Sequence, residues 1–296
     1  MLVVCFGDGL GNQMFQYAFF KSLQKHYPGV KVRADINNFY GSMNEHNGYE
    51  LERIFGIKLE ECEFYEARAL VDFYPRYMKK HKKLMNWLRI KDIFFGRKES
   101  FITVDDPTVY YKEVFELSPL HSYMLRGNWI NEDYFKDVEK ELKEDLHFPK
   151  IKGSKNKELL EQINNTKSVS IHIRGGDYLG TNLVQLDGKY YNEAIRYIEE
   201  REGSDLTYYI FSNDFDYVRK LNLNIKNYVE VSGNTGKDSY MDMQLMSQCK
   251  HNIIANSTFS FWGAYLNPNP KKLVVAPIIA EPTYAEPFAC KSWHLI

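Results

Sequence analysis

Ser168-Val-Ser-Ile-His-Ile-Arg-Gly-Gly-Asp-Tyr178 is the stretch that decides the fold. Val169, Ile171 and Ile173 alternate with Ser170, His172 and Arg174, the period of two that a strand imposes on its side chains. Gly175-Gly176 ends the run and lets the backbone approach a ligand closely. Further apolar or β-rich runs follow at residues 207–211, 228–231, 252–255 and 273–276, with helical patterns between them at 190–201, 215–221, 240–249 and 259–266. Strands that alternate with helices predict a parallel sheet covered on both faces. Ligands of such sheets sit beyond the carboxyl ends of the strands, so the residues that close each run are the candidates for chemistry.

The first half begins in the same way. Leu2 to Phe6 reads as a strand, Gly7-Asp-Gly-Leu-Gly11-Asn12 as a glycine turn, and 13–26 as an amphipathic helix; a second strand over 30–34 ends at Asp35. Gly7-x-Gly9-x-x-Asn12 nearly matches the dinucleotide fingerprint, and Asp35 stands near the ~20-residue distance that a ribose-binding acid requires. Asn12 replaces the third glycine, so this reading is an alternative. Asn131-Glu-Asp predicts a helix start, with Tyr134, Phe135, Val138, Leu142 and Leu146 as its apolar stripe. The basic, turn-rich segment from Lys150 to Lys157 predicts a linker, which divides the chain into domains 1–152 and 153–296.

Size and composition narrow the class. With 296 residues the chain suits two ordinary domains and needs no disulfide or metal to hold its core. A net charge of -1 gives no nucleic-acid signature. Cys5, Cys62, Cys249 and Cys290 are scattered without a Cys-x-x-Cys pair, as reduced structural thiols would be. No apolar stretch approaches the ~20 residues of a membrane span, and the expectation is a cytoplasmic protein.

The strand ends carry the chemistry. A guanidinium at Arg174 suits a diphosphate, because its fork engages two oxygens and stays charged. An Arg174–Asp177 ion pair closing a turn accounts for the same residues equally well. Ile254-Ala-Asn256-Ser257-Thr258 runs from a strand into a helix, where backbone N–H groups attract phosphate; N-capping by Ser257 or Thr258 is the bland reading. Asp214-Phe-Asp216 after a strand has the pattern of a divalent-metal site on a diphosphate, or of helix caps. From Arg76 to Lys98, basic residues alternate with apolar ones, a pattern that first suits a solvated face and also allows peripheral contact with an anionic membrane.

Taken together, Gly9-Leu-Gly-Asn-Gln-Met-Phe-Gln-Tyr-Ala18, His172-Ile-Arg-Gly-Gly-Asp-Tyr178, Phe211-Ser-Asn-Asp214, Asp242-Met-Gln-Leu-Met-Ser247 and Ile253-Ile-Ala-Asn-Ser-Thr-Phe-Ser-Phe-Trp262 resemble the bacterial α-1,2-fucosyltransferases of glycosyltransferase family 11. The resemblance spans nearly the whole chain and implies an α/β, GT-B-like protein: two Rossmann-like domains with a cleft between them. It implies GDP-β-L-fucose as co-substrate, held mainly by the C-terminal domain, and a galactose-terminated glycan as acceptor on the N-terminal side. The reaction would invert the anomeric centre without a metal or other cofactor.

Carried onto this chain, the resemblance makes Arg174 and Asn12 the catalytic residues. It makes Gly11, Asn12, His172, Arg174, Asp177, Ser212, Asp214, Asp242, Asn256, Ser257, Thr258 and Phe259 the donor site, with Asp242 on guanine. Asp35 and Trp129 are the acceptor candidates. No general base is identified, although Asp35, His46 and Glu132 are candidates. One departure stands out: the family reads His-x-Arg-Arg-Gly-Asp-Tyr, and Gly175 here replaces the second arginine.

Overall fold

A computed structural model describes residues 1–40, 46–63, 100–175, 184–279 and 284–296. The basic segment from Arg76 to Lys98 and Asp177 lie outside the described residues.

Two parallel sheets build the molecule. In the first half β1 (Leu2–Cys5), α1 (Leu10–His26), β2 (Val32–Asp35), α2 (Leu51–Phe55), β3 (Phe101–Thr103) and β4 (Tyr123–Arg126) give a four-stranded sheet of order β2-β1-β4-β3. α3 (Glu139–Asp145) and α4 (Ser154–Asn165) lead to the second sheet. There β5 (Ser168–Ile173), α5 (Gly188–Glu202), β6 (Thr207–Ser212), α6 (Phe215–Lys220), β7 (Tyr228–Val231), α7 (Tyr240–Gln248), β8 (His251–Ile253), α8 (Thr258–Tyr265), β9 (Val274–Ala276) and β10 (His294–Leu295) give the order β10-β9-β8-β5-β6-β7. Every described pairing in both sheets is parallel. The central strands are buried on both faces because helices cover both; all six residues of β5 are buried.

The strand order fixes where ligands can bind. In the second sheet the chain moves from β5 outward through β6 and β7, then returns to the other side of β5 with β8. The crevice between β5 and β8 is therefore a topological switch point, and the crevice between β1 and β4 is its counterpart in the first sheet.

The halves share one apolar core. Phe15 of α1 packs on Phe261 and Trp262 of α8 with ring centroids 4.7 and 4.9 Å apart, and Phe135 stacks on Trp262 at 5.8 Å. The chain end also returns to the first half: Asp106 accepts the Ala285 N–H at 2.7 Å, and Lys291 Nζ donates to Asp133 at 2.6 Å.

Several elements differ from the sequence expectation. The Asn131 side chain does cap a turn, accepting the Asp133 N–H at 3.0 Å, and the predicted stripe from Tyr134 to Leu146 is buried. However, the backbone forms 3₁₀ turns at Glu132–Tyr134 and Lys136–Val138 before α3 begins. Tyr134 and Phe135 are adjacent and both fully buried, Tyr134 against Phe19 and Phe135 against Trp262. The basic segment after Pro149 is not all linker, because α4 starts at Ser154. Its buried Asn156, Leu159 and Ile163 form one face that packs on α7. The short strands β3 and β10 were illegible, being three exposed or half-exposed residues and two residues respectively.

Candidate active site

Both switch points open onto one cleft of about 1060 Å³. One wall carries Gly9, Leu10, Gly11, Asn12 and Asn128 from the first half; the other carries His172, Arg174, Ser212, Asn256, Ser257, Thr258 and Phe259 from the second. The walls meet where two helix N-termini touch. A Cβ built on Gly11 would stand 2.6 Å from Thr258 Oγ1 and 2.8 Å from the Phe259 nitrogen, so only glycine allows α1 and α8 to approach this closely. Trp262 Nε1 ties the joint by donating to the Gly11 carbonyl at 2.9 Å.

This joint is suited to anions. Each helix N-terminus carries roughly half a positive charge on its unsatisfied N–H groups, and two of them face the same cleft. Ser257 caps α8 by accepting the Phe259 N–H at 3.3 Å. Gly9 caps α1 without any side-chain bond, which leaves that end open.

His172 lies beneath the joint, 5% exposed. Burial, and then the charge of Arg174, lowers its pKa to about 3, so the imidazole is neutral at ordinary pH. Its Nδ1 has no hydrogen-bond partner among the described residues. A buried polar atom left open at a ligand cleft costs stability unless a ligand completes it. Arg174 follows at the carboxyl end of β5 and lines the same cleft.

Asp242 also lines the cleft, in the first turn of α7. Asn234 Nδ2 donates to Asp242 Oδ1 at 2.7 Å and is itself held by Asn156 Oδ1 at 3.0 Å. Burial raises the Asp242 pKa to about 6 against the opposing effects of Asn234 and Lys155.

The structure places other expected residues elsewhere. Asp214 caps α6, accepting the Tyr217 N–H at 2.9 Å, and does not line the cleft. Asp216 pairs with Arg219 at 2.6 Å on the surface. The Asp214-x-Asp216 pattern is thus a cap and a surface ion pair in this fold. Ser212 remains at the cleft, where its Oγ accepts the Asp214 N–H at 3.0 Å. Trp129 is fully buried and stacked on Phe19 at 4.0 Å, so it is core and offers no acceptor platform. Asp35 is buried at the end of edge strand β2, bonded to Asn37, and is not among the cleft residues. That position withdraws both its acceptor role and its ribose role in a dinucleotide site. Of the three base candidates, His46 alone lines the cleft; Glu132 accepts the Lys291 N–H at 2.7 Å away from it.

Asn128, Asn47 and Asn234 line the cleft without having been anticipated. Loop amides carry no periodicity, and only the strand-end rule applied to β4 would have found Asn128.

The departure at Gly175 has a packing cause. A Cβ there would meet Asp214 Cβ at 2.7 Å and Tyr217 Cβ at 3.2 Å, so α6 occupies the space that a side chain would need. Gly175→Arg is expected to displace the Asp214 cap, to cost about 1–3 kcal/mol by overpacking, and to leave GDP affinity no tighter. Thermal unfolding with and without GDP checks both.

The comparisons agree with this architecture. The family model described as Glycosyl transferase family 11 matches residues 1–293, and the chain belongs to that family. It is a glycosyltransferase of GT-B-like fold. An α-1,2-colitosyltransferase of Escherichia coli is 30% identical over 94% of this chain and 91% of its own length. A galactoside α-(1,2)-fucosyltransferase 1 of Aotus azarae is 33% identical over 33% of this chain and 28% of its own length. A variant of Arabidopsis thaliana FUT1 solved in complex with GDP shares the fold at a TM-score of 0.50 and 12% identity, covering 92% of this chain and 69% of that one.

Proposed function

We propose that the protein moves L-fucose from GDP-β-L-fucose to O2 of a terminal galactose in a glycan, with inversion at the anomeric carbon. The observation that carries this reading is the meeting of two helix N-termini beside Arg174 and the open Nδ1 of buried His172. That arrangement fits a diphosphate whose negative charge grows as the glycosidic bond breaks. Preorganised donors of this kind are often the largest catalytic term. Asp242 then receives the guanine N–H groups, and the acceptor hydroxyl approaches C1 from the wall of Asn12 and Asn128.

The electrostatic work on the diphosphate is assigned to Arg174 and the helix ends, because Asp214 and Asp216 stand outside the cleft. Activity is therefore expected to survive EDTA. Four buried free cysteines suit a reducing compartment, so the cytoplasm is the proposed location. Among the described residues no helix is long and apolar enough to cross a membrane. The colitosyltransferase relative supports a second donor, GDP-colitose, in the same cleft.

A nucleotide panel tests the class. GDP is expected to raise the melting temperature, by mass action, well above UDP, NAD or FAD. Stabilisation by NAD or FAD and none by GDP would reverse the reading.

The Asp242 assignment has a pH signature. Guanine presents a pair of N–H donors, and only the carboxylate form receives both, with the strength of a charged acceptor. In the free protein Asp242 loses its proton near pH 6, and protonation below that value removes the charge and turns one acceptor oxygen into a donor. GDP affinity is expected to fall about tenfold from pH 7 to pH 5, the ratio of ionised fractions for such a pKa. The same slope should appear with guanosine, which has no phosphate to titrate, and should vanish in Asp242→Asn. Titration calorimetry across that range measures it. Without ligand the sign is opposite: a raised carboxyl pKa stabilises the fold below about pH 4 and loses that contribution as pH rises through 6.

A further inference from the structure

A second cavity of about 270 Å³ adjoins the cleft, and the two share Pro107 and Asn128 as a common wall. It lies beyond the carboxyl ends of β1, β3 and β4, at the switch point of the first sheet. Its volume is below the ~300–1,000 Å³ of pockets for drug-sized ligands, which suits one sugar ring rather than a nucleotide.

The lining is rich in uncommitted polar groups. Arg126 and Asp105 are exposed, and neither side chain makes a hydrogen bond or ion pair with another described residue. The Asp8 carboxylate accepts from the Asn12 amide at 3.3 Å. Asn128 accepts from Gln16 Nε2 at 2.9 Å, which fixes its amide at the junction of the two cavities. The two strand-end loops that shape this place also hold non-glycine residues in the left-handed region, Asp8 at φ 61° and Trp129 at φ 54°. Such strain persists where the surrounding structure imposes it, commonly at functional sites.

We propose that this cavity is an acceptor subsite for the sugar next to the reactive terminal galactose, a neutral pyranose held through neighbouring hydroxyls. Arg126 supplies a fork of donors and Asp105 supplies acceptors, the complementary pair that vicinal hydroxyls need. Asp8 and Asn128 guide the linkage between the rings where the cavities join. The geometry follows from the shared wall: a galactose presenting O2 in the cleft has its neighbour directed across Asn128. This inference rests on the transferase reading of the cleft.

Titration calorimetry on the GDP-loaded full chain tests it, with methyl β-D-galactoside, lactose, N-acetyllactosamine and lacto-N-biose as probes. At least one disaccharide is expected to bind about tenfold or more tighter than the methyl galactoside, as hydrogen bonds to charged groups allow. Arg126→Ala and Asp105→Asn should each bring that disaccharide down towards the monosaccharide affinity while the shift in melting temperature caused by GDP persists. Asp105→Asn alters one exposed side chain, so it keeps the test informative if Arg126→Ala folds poorly. A wild-type protein with no preference for any disaccharide, or a preference that survives both substitutions, overturns the subsite. Absence of GDP stabilisation in the wild type would instead refute the transferase reading.

Discussion

Arg174→Ala is expected to lower kcat by roughly a hundredfold or more while leaving the protein folded. The figure follows from the effect of deleting one preorganised donor to a developing oxyanion, about 10²–10³ in kcat. Arg174 occupies the position with most leverage: the carboxyl end of a central, fully buried strand, between the two crossover directions of its sheet. The strand below it is rigid, because Ile171 and Ile173 are completely buried. The Gly175 backbone beyond it leaves no room for a second cation. Arg174→Lys should recover part of the loss, since it restores the charge without the bidentate fork. Initial rates of GDP release, with melting temperature as the control for folding, measure the effect. A folded Arg174→Ala protein with near-native kcat would remove Arg174 from the chemistry.

Trp262→Ala is expected to have the largest effect on stability, about 3–5 kcal/mol. Its ring is completely buried among Phe15, Phe135 and Tyr265, at the seam where the two halves share their core. Truncation opens a cavity there and removes the bond from Nε1 to the Gly11 carbonyl. At roughly 2–4 °C per kcal/mol for a chain near this size, the melting temperature should fall by about 6–20 °C. The same change releases the α1 N-terminus from α8, so GDP should stabilise the remaining folded protein less than it does the wild type. Trp262→Phe keeps most of the packing and loses the N–H, and should lie between. A Trp262→Ala protein that melts like the wild type would show that the shared core does not hold the cleft together.

The second sheet was largely legible because its strands are short apolar or β-rich runs separated by helices of clear periodicity. The runs at 228–231 and 273–276, for instance, differ from β7 and β9 by at most one residue. The strand-end rule then placed Arg174, His172 and Thr258 at one site, as the structure does. The first half was less legible because much of its order is tertiary. Trp129, an acceptor candidate by sequence, is core because its ring stacks on Phe19. Asp35 and Asp214 have residue types that serve caps and ligands alike, and only neighbours distinguish the two uses. Gly175 read as a missing charge from sequence; in three dimensions it is space taken by α6. The contact of Gly11 with Thr258 joins residues 247 positions apart and leaves no local trace.

The most direct test is to incubate the purified protein with GDP-β-L-fucose and a β-galactoside disaccharide, with and without EDTA, and to read the product by NMR. Release of GDP with an α-L-fucosyl residue on galactose O2, undiminished by EDTA, is the predicted result. GDP-colitose tried in place of GDP-fucose identifies the preferred donor sugar. No transfer from either donor by a protein that binds GDP, or transfer that stops with EDTA, would contradict the account.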